Sequence, residues 1–306
     1  MTIKNCLGAA LLFSLFSACS KDAPLKENTL TKTDKGLWND KMAVSMQKGA
    51  AIKAVPYKAE YITDARSGAA GKTYFFFHTG NKQLDVAFVP GDPSRGGRTD
   101  ITYAVDDELT QDNGLNSYEA ESAIDAAMAT WQAQKCSKLE INKVAYSGNL
   151  GWMSADLGFS GSKDWVADIQ HSGFLPAAFF DALAPGGSYS ILAITISYIW
   201  ILDGKVLDID SDGKADLAFS EIYYNDVFEW KTDYGYGYDI ETIALHESGH
   251  GLGQAHFGKA FYNYSNGKFH VAPKAVMNAS YTGEQRTLLG TDKAGHCSIW
   301  ANWPSK

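Results

Sequence analysis

The sequence predicts an α/β fold, a twisted mixed sheet with long helices packed on it. Two stretches carry that prediction. Asp100–Val105 reads as a strand, residues 116–131 as a capped helix and Leu139–Val144 as a second strand, which is a βαβ order. Ile191–Leu202 is a continuous apolar run, too short to span a bilayer and rich in β-branched residues, so it reads as a buried strand. Hydrophobic residues make up 45% of the 306, enough for a full core. The net charge is −8, and no Lys/Arg block breaks the sequence, which excludes the electrostatic footprint of a nucleic-acid binder.

Taken in order, Met1–Ala18 reads as a bacterial-type export signal. Lys4 is its only positive charge, and the apolar run that follows is shorter than a membrane span. Leu15-Phe16-Ser17-Ala18-Cys19 resembles a lipobox, so 1–19 is expected to be a lipoprotein-type signal with Cys19 lipidated. That places the protein at the bacterial cell envelope, on the outer membrane or cell surface, held only by its lipid. The alternative is cleavage after Ala18 and free secretion. Residues 20–98 form an extension. Ser20–Lys48 is polar and aperiodic, a tether. Lys72–His78 and Gln83–Pro90 flank Thr79-Gly80-Asn81-Lys82, a hairpin signal. Breakers at 91–98 follow, with Arg95 and Arg98 expected at the surface, and the main domain is set at 99–306.

In that domain Asn116-Ser117-Tyr118-Glu119 has capping-box character. Ile124, Ala127, Met128 and Trp131 then form one buried helix face. Asp208, Asp210, Asp212 and Asp216 alternate through a loop with Gly213 between them, an arrangement that aims oxygens at one point as Ca²⁺ requires. Phe219 stands where an EF-hand has its Glu, so the loop is not an EF-hand, although Glu221 could contribute. A solvated acidic turn is the alternative. Thr232–Tyr238 reads as a loop and Asp239 as the N-cap of the next helix.

That helix carries the start of His246-Glu247-Ser248-Gly249-His250-Gly251-Leu252-Gly253-Gln254-Ala255-His256. His246 and His250 fall on one helix face and can bind a single Zn²⁺. Glu247 is displaced around the helix, where it suits a general base better than a ligand. Gly253 permits a sharp turn that brings His256 in as a third ligand. Three protein ligands leave a position for water, the mark of a catalytic zinc. Gly249 and Gly251 weaken the helix by about 1 kcal/mol each, so something is expected to pack close to its backbone there.

The motif, followed by Ala275-Val276-Met277-Asn278-Ala279-Ser280-Tyr281, resembles the metzincin signature. Gly249, Tyr281 and Thr291-Asp292-Lys293-Ala294-Gly295 make it most similar to the matrixins. The resemblance implies a zinc cleft between an upper sheet subdomain and a smaller C-terminal one. It implies that Met277 lies beneath the histidines, that Tyr281 lines a neighbouring pocket and that any calcium is structural. It makes Ala218–Tyr224 a candidate for the edge strand presented to substrate. The activity it implies is hydrolysis of extended polypeptides by a monomer, through a zinc-held water activated by Glu247. The alternative is a catalytically idle zinc- and calcium-binding surface lipoprotein. Phe257 follows the third His where vertebrate matrixins usually have Ser, and no cysteine between Ser20 and Lys135 could serve a propeptide cysteine switch.

Cys136 and Cys297 both lie in the exported part and are expected to form a disulfide, with two buried thiols as the alternative. Residues 20–98 admit two readings. One is a pro-segment, cleavable in the 94–98 loop, with a carboxylate such as Asp64 in the zinc's open position. The other is permanent structure, favoured by the apolar surface of Tyr74-Phe75-Phe76-Phe77.

Overall fold

A computed structural model describes residues 23–24, 52–76, 85–106, 114–233, 235–263, 265 and 268–305. The export signal, Cys19, nearly all of the tether and the Thr79–Lys82 turn lie outside the described residues. In chain order the strands are β1 (Ala23–Pro24), β2 (Lys53–Asp64), β3 (Thr73–Phe75), β4 (Val86–Ala87) and β5 (Ile101–Val105). Then come β6 (Ile141–Lys143), β7 (Ile169–Leu175), β8 (Ile191–Leu202), β9 (Lys205–Val206) and β10 (Ala215–Asn225). The last are β11 (Trp230–Lys231), β12 (Tyr238–Asp239), β13 (Lys259–Asn263), β14 (Lys268–Ala272) and β15 (Ser280–Tyr281). The helices are α1 (Ser117–Gln132), α2 (Trp152–Leu157), α3 (Ala177–Leu183), α4 (Ile240–Gly251) and α5 (Gly290–Trp300).

The fold is mixed α/β, built on one large mixed sheet in the order β15-β2-β8-β10-β7-β5-β6. Strands β6, β5, β7 and β10 run parallel. β8 is antiparallel to β10, and β2 is antiparallel to β8. The opening β5–α1–β6 unit is the expected βαβ, and its helix carries the full Asn116–Glu119 capping box. β8 is mostly apolar because both of its faces are covered, with Thr195 and Ser197 as buried polar exceptions. Ala193, Ile199 and Ile201 join the core beneath α1 and α4. Ile194, Ile196, Tyr198 and Trp200 join Phe179, Phe180 and Phe219 on the other side. Among the described residues no helix is long and apolar enough to cross a membrane.

Three expectations are corrected, and one strand is new. β3 and β4 do not form a hairpin with each other: β3 pairs with β2, and β4 pairs in parallel with β10. Ala218–Tyr224 is not an edge, because β10 has β8 on one side and β7 on the other. Arg95 is not exposed; its guanidinium is buried against Asp168, with Nε and Nη2 each 2.9 Å from a carboxylate oxygen. Residues 53–64, for which no element was expected, form the 12-residue β2, buried from Val55 to Asp64. Three strands of the 20–98 extension are thus woven into the same sheet as the main domain.

Candidate metal centre

α4 begins where expected. Asp239 caps it by accepting from Thr242 N at 2.9 Å. Every residue from Thr242 to Gly251 is buried, so the helix runs through the interior with α1 on one side and β2, β8 and β10 on the other. The two glycines permit this. A Cβ at Gly249 would stand 2.9 Å from the Trp131 ring and closer still to Met277 Sδ, and one at Gly251 would press on Ile169. The helix ends in a Schellman turn. Gly253, at φ +86°, donates to His250 O at 2.9 Å, and Gln254 N donates to Gly249 O at 2.9 Å. That left-handed step turns the chain back and delivers His256.

The imidazoles are oriented by backbone. His246 Nδ1 lies 2.7 Å from Val276 O, and His250 Nδ1 lies 2.7 Å from Gln254 O. A carbonyl only accepts, so each Nδ1 carries the proton and each Nε2 presents a lone pair. The two Nε2 atoms face each other at 3.1 Å, and neither can donate to the other. His256 Nε2 is also buried without a hydrogen-bond partner. Burial pulls each of the three rings down to a pKa of about 3, so all are neutral at pH 7. Their ligating atoms lie within 4.8 Å of one another. Zinc–nitrogen bonds of about 2.0–2.1 Å at tetrahedral angles would set such nitrogens roughly 3.3 Å apart. The cluster could therefore hold a metal ion: two facing lone pairs and a third unpartnered ring nitrogen fit one better than they fit each other.

Glu247 is fully buried beside this cluster. Its Oε2 accepts from Thr195 Oγ1 at 2.6 Å and its Oε1 from Ile62 N at 3.3 Å. Burial is the largest influence on it and raises the carboxyl to about 8, against the pull of Thr195 and Ile62. Two residues absent from the sequence reading also stand here. Glu60 Oε2 lies 3.4 Å from His250 Nδ1 and 2.6 Å from Lys58 Nζ, and Glu60 Oε1 accepts from Thr73 Oγ1 at 3.0 Å. Burial would raise Glu60, but the Lys58 ammonium and the rings of His250 and His256 outweigh it and hold it at about 2. Asp64, the carboxylate named for an open metal position under the pro-segment reading, is not in the cluster. Its carboxylate instead accepts from Arg66 N at 2.9 Å and caps a short turn.

Met277 is buried against Gly249, and Asp292 fixes its loop by accepting from Val276 N at 3.0 Å and Met277 N at 3.1 Å. The sequence reading quoted Asp292 without giving it this task. Phe257 N donates to Met277 O at 2.7 Å, so the third histidine and the methionine loop are tied together. Tyr281 accepts from Asp239 N at 3.4 Å and, with Tyr238, Phe228 and Arg66, lines a cavity of about 650 Å³. The histidines do not line that cavity.

In the acidic loop Asp208, Asp210 and Asp216 bring carboxylate oxygens within 4.8 Å of one another. Asp212 is not one of these three; its Oδ1 accepts from Lys214 N at 2.9 Å. Glu221 is no contributor either. It is fully buried and bound to Met153 N at 3.1 Å and to the hydroxyls of Tyr198 at 3.0 Å and Tyr223 at 2.8 Å. Cys136 and Cys297 are joined as a disulfide, with Cα atoms 5.8 Å apart. No protein-family model matches the chain, and no curated protein matches it.

Proposed function

We propose that this protein is a zinc-dependent endopeptidase of matrixin-like type. One observation carries the reading: three neutral imidazoles converge beside a buried carboxylate that is not one of them. A purely structural zinc site has no use for such a group. His246, His250 and His256 would hold the ion through Nε2, with Val276 O and Gln254 O fixing the first two rings. When bound, zinc supplies Lewis acidity, polarising the scissile carbonyl and making water a nucleophile near neutral pH. Glu247 takes the proton of the attacking water and passes it to the leaving amine. Thr195 sets the carboxylate's direction. Met277 forms an apolar support, and Tyr281 places an aromatic wall on the neighbouring cavity.

Asp208, Asp210 and Asp216 would hold a stabilising Ca²⁺. The Cys136–Cys297 bridge supports an exported protein, since such bonds persist in oxidising compartments. We place it at the bacterial cell envelope through lipidated Cys19, or secreted if Cys19 is not modified. The rival reading, an idle metal-binding lipoprotein, is favoured by one observation: His246, Glu247 and His250 are wholly covered.

The test is casein cleavage by the full chain, before and after limited proteolysis, with and without a zinc chelator. After proteolysis, wild-type protein is expected to cleave in a chelator-sensitive way. Glu247→Ala should keep its zinc and lose turnover by several orders of magnitude. Equal cleavage by Glu247→Ala would contradict the assignment of the base.

A further inference from the structure

A polypeptide can be cut by this site only if it lies across the histidines within reach of Glu247. That place is already taken, by a segment of the chain itself. β2 pairs antiparallel with β8 from Lys53 opposite Ile201 to Thr63 opposite Ile191. Its other edge is covered by β3 from Lys58 to Glu60, and by β15 at Thr63 and Asp64, where Ala279 O accepts from Thr63 N at 3.4 Å. β2 is therefore an extended peptide gripped on both sides by backbone, the form in which strand-adding ligands bind sheet edges.

Its inward face meets the site directly. Glu60 lies opposite Thr195 in the register and Lys58 opposite Ser197. Glu247 receives one hydrogen bond from each side of the groove: Thr195 of β8 takes Oε2 and the Ile62 N–H of β2 takes Oε1. The Glu60 carboxylate stands 3.4 Å from His250 Nδ1, beside its Lys58 partner. A buried polar pair costs stability unless it is matched, and here it is matched to a polar centre.

We propose that β2 is an internal occupant of the peptide-binding groove, and that the chain is latent until β2 is withdrawn from β8. The proposal rests on the endopeptidase reading and names how that site is regulated. Glu60 and Lys58 are the residues by which the strand recognises the site, and an extended polypeptide antiparallel to β8 is what replaces it. Asp64 plays no part, since its carboxylate is committed to Arg66. The strand is firmly seated, with Val55, Tyr57, Tyr61 and Ile62 all buried, so release requires a cut in the chain rather than thermal fraying.

A covalent lock tests this. Ala59 and Ile196 are direct partners across β2 and β8, and opposed Cα atoms in such a ladder are within disulfide range. The full-length, zinc-loaded Ala59→Cys/Ile196→Cys protein is compared with wild type, each after the same limited proteolysis, oxidised and then mildly reduced. Wild type under the same reductant controls for the native bridge. Two readouts are taken: casein cleavage, and binding of acetohydroxamate, a small zinc ligand, by calorimetry. Proteolysed wild type is expected to gain both, and the oxidised lock neither. Reduction should restore the lock at least tenfold. Acetohydroxamate binding without casein cleavage would uphold the latch and count against the endopeptidase reading instead. Equal behaviour of locked and unlocked protein, or a wild type that stays closed after proteolysis, would show β2 to be permanent structure and overturn the proposal.

Discussion

Thr195 shows how a single hydroxyl shapes the site. It stands 2.6 Å from Glu247 Oε2 and 3.0 Å from Glu247 O, so it fixes the carboxylate against its own helix. Thr195→Val removes one hydrogen bond to a group that must carry charge, worth about 1.5–3 kcal/mol. Turnover should fall roughly 10- to 100-fold with zinc content unchanged, as read by steady-state kinetics and metal analysis. Unchanged turnover would mean that Thr195 orients nothing. Gly249 gives a test of sign. Helix propensity alone predicts that Gly249→Ala stabilises by about 1 kcal/mol. The crowding by Met277 and Trp131 predicts destabilisation of about 1–3 kcal/mol in urea unfolding, with Met277 displaced. The three histidines, Glu247 and Gly253 were legible in the sequence because helical spacing and a left-handed turn are local properties. Glu60 and Lys58 were not. Alternation in Tyr57-Lys58-Ala59-Glu60-Tyr61 assigns the charged positions to solvent, and only the fold reveals that they face a polar centre.

Among the elements, β8 was read with its full span, because a strand buried on both faces reads as a nearly continuous apolar run. The Asp239 cap of α4 and the capping box of α1 were equally visible. Strand partners were not. β3 and β4 are neighbours in sequence but pair with β2 and β10, a choice made by the whole sheet rather than by the turn between them. His171 links two central strands, with Nδ1 2.8 Å from the Tyr224 hydroxyl. Burial, with a smaller contribution from Lys143, lowers it from 6.5 to about 3. The folded form therefore refuses a proton that the unfolded chain accepts. Its contribution is fully present above pH 6.5 and is lost as pH falls from 6.5 toward 3. The slope is about 1.4 kcal/mol per pH unit for one proton. Urea unfolding of wild type and His171→Gln between pH 7.5 and 5 should show the variant losing stability less steeply, by about one proton. Parallel slopes would mean that His171 titrates normally in the folded protein.

For the whole molecule, the Cys136–Cys297 bridge ties the end of α1 to α5, the helix whose Asp292 holds the methionine loop. Closing so long a loop constrains the unfolded chain, and reduction is expected to cost about 2–5 kcal/mol. Denaturant midpoints with and without reductant measure this, and coincident midpoints would contradict it. The architecture also explains why the site's chemistry was readable before its access. The ligand motif is contiguous, whereas β2, which covers it, comes from the other end of the chain. The measurement that bears most directly on the central claim is zinc content per chain after gentle isolation, by mass spectrometry. The account predicts one zinc per chain in wild type and in Glu247→Ala, and strong loss in His246→Ala/His250→Ala. Wild-type protein isolated without zinc, or a double variant that keeps it, would contradict the claim that these histidines form a zinc site.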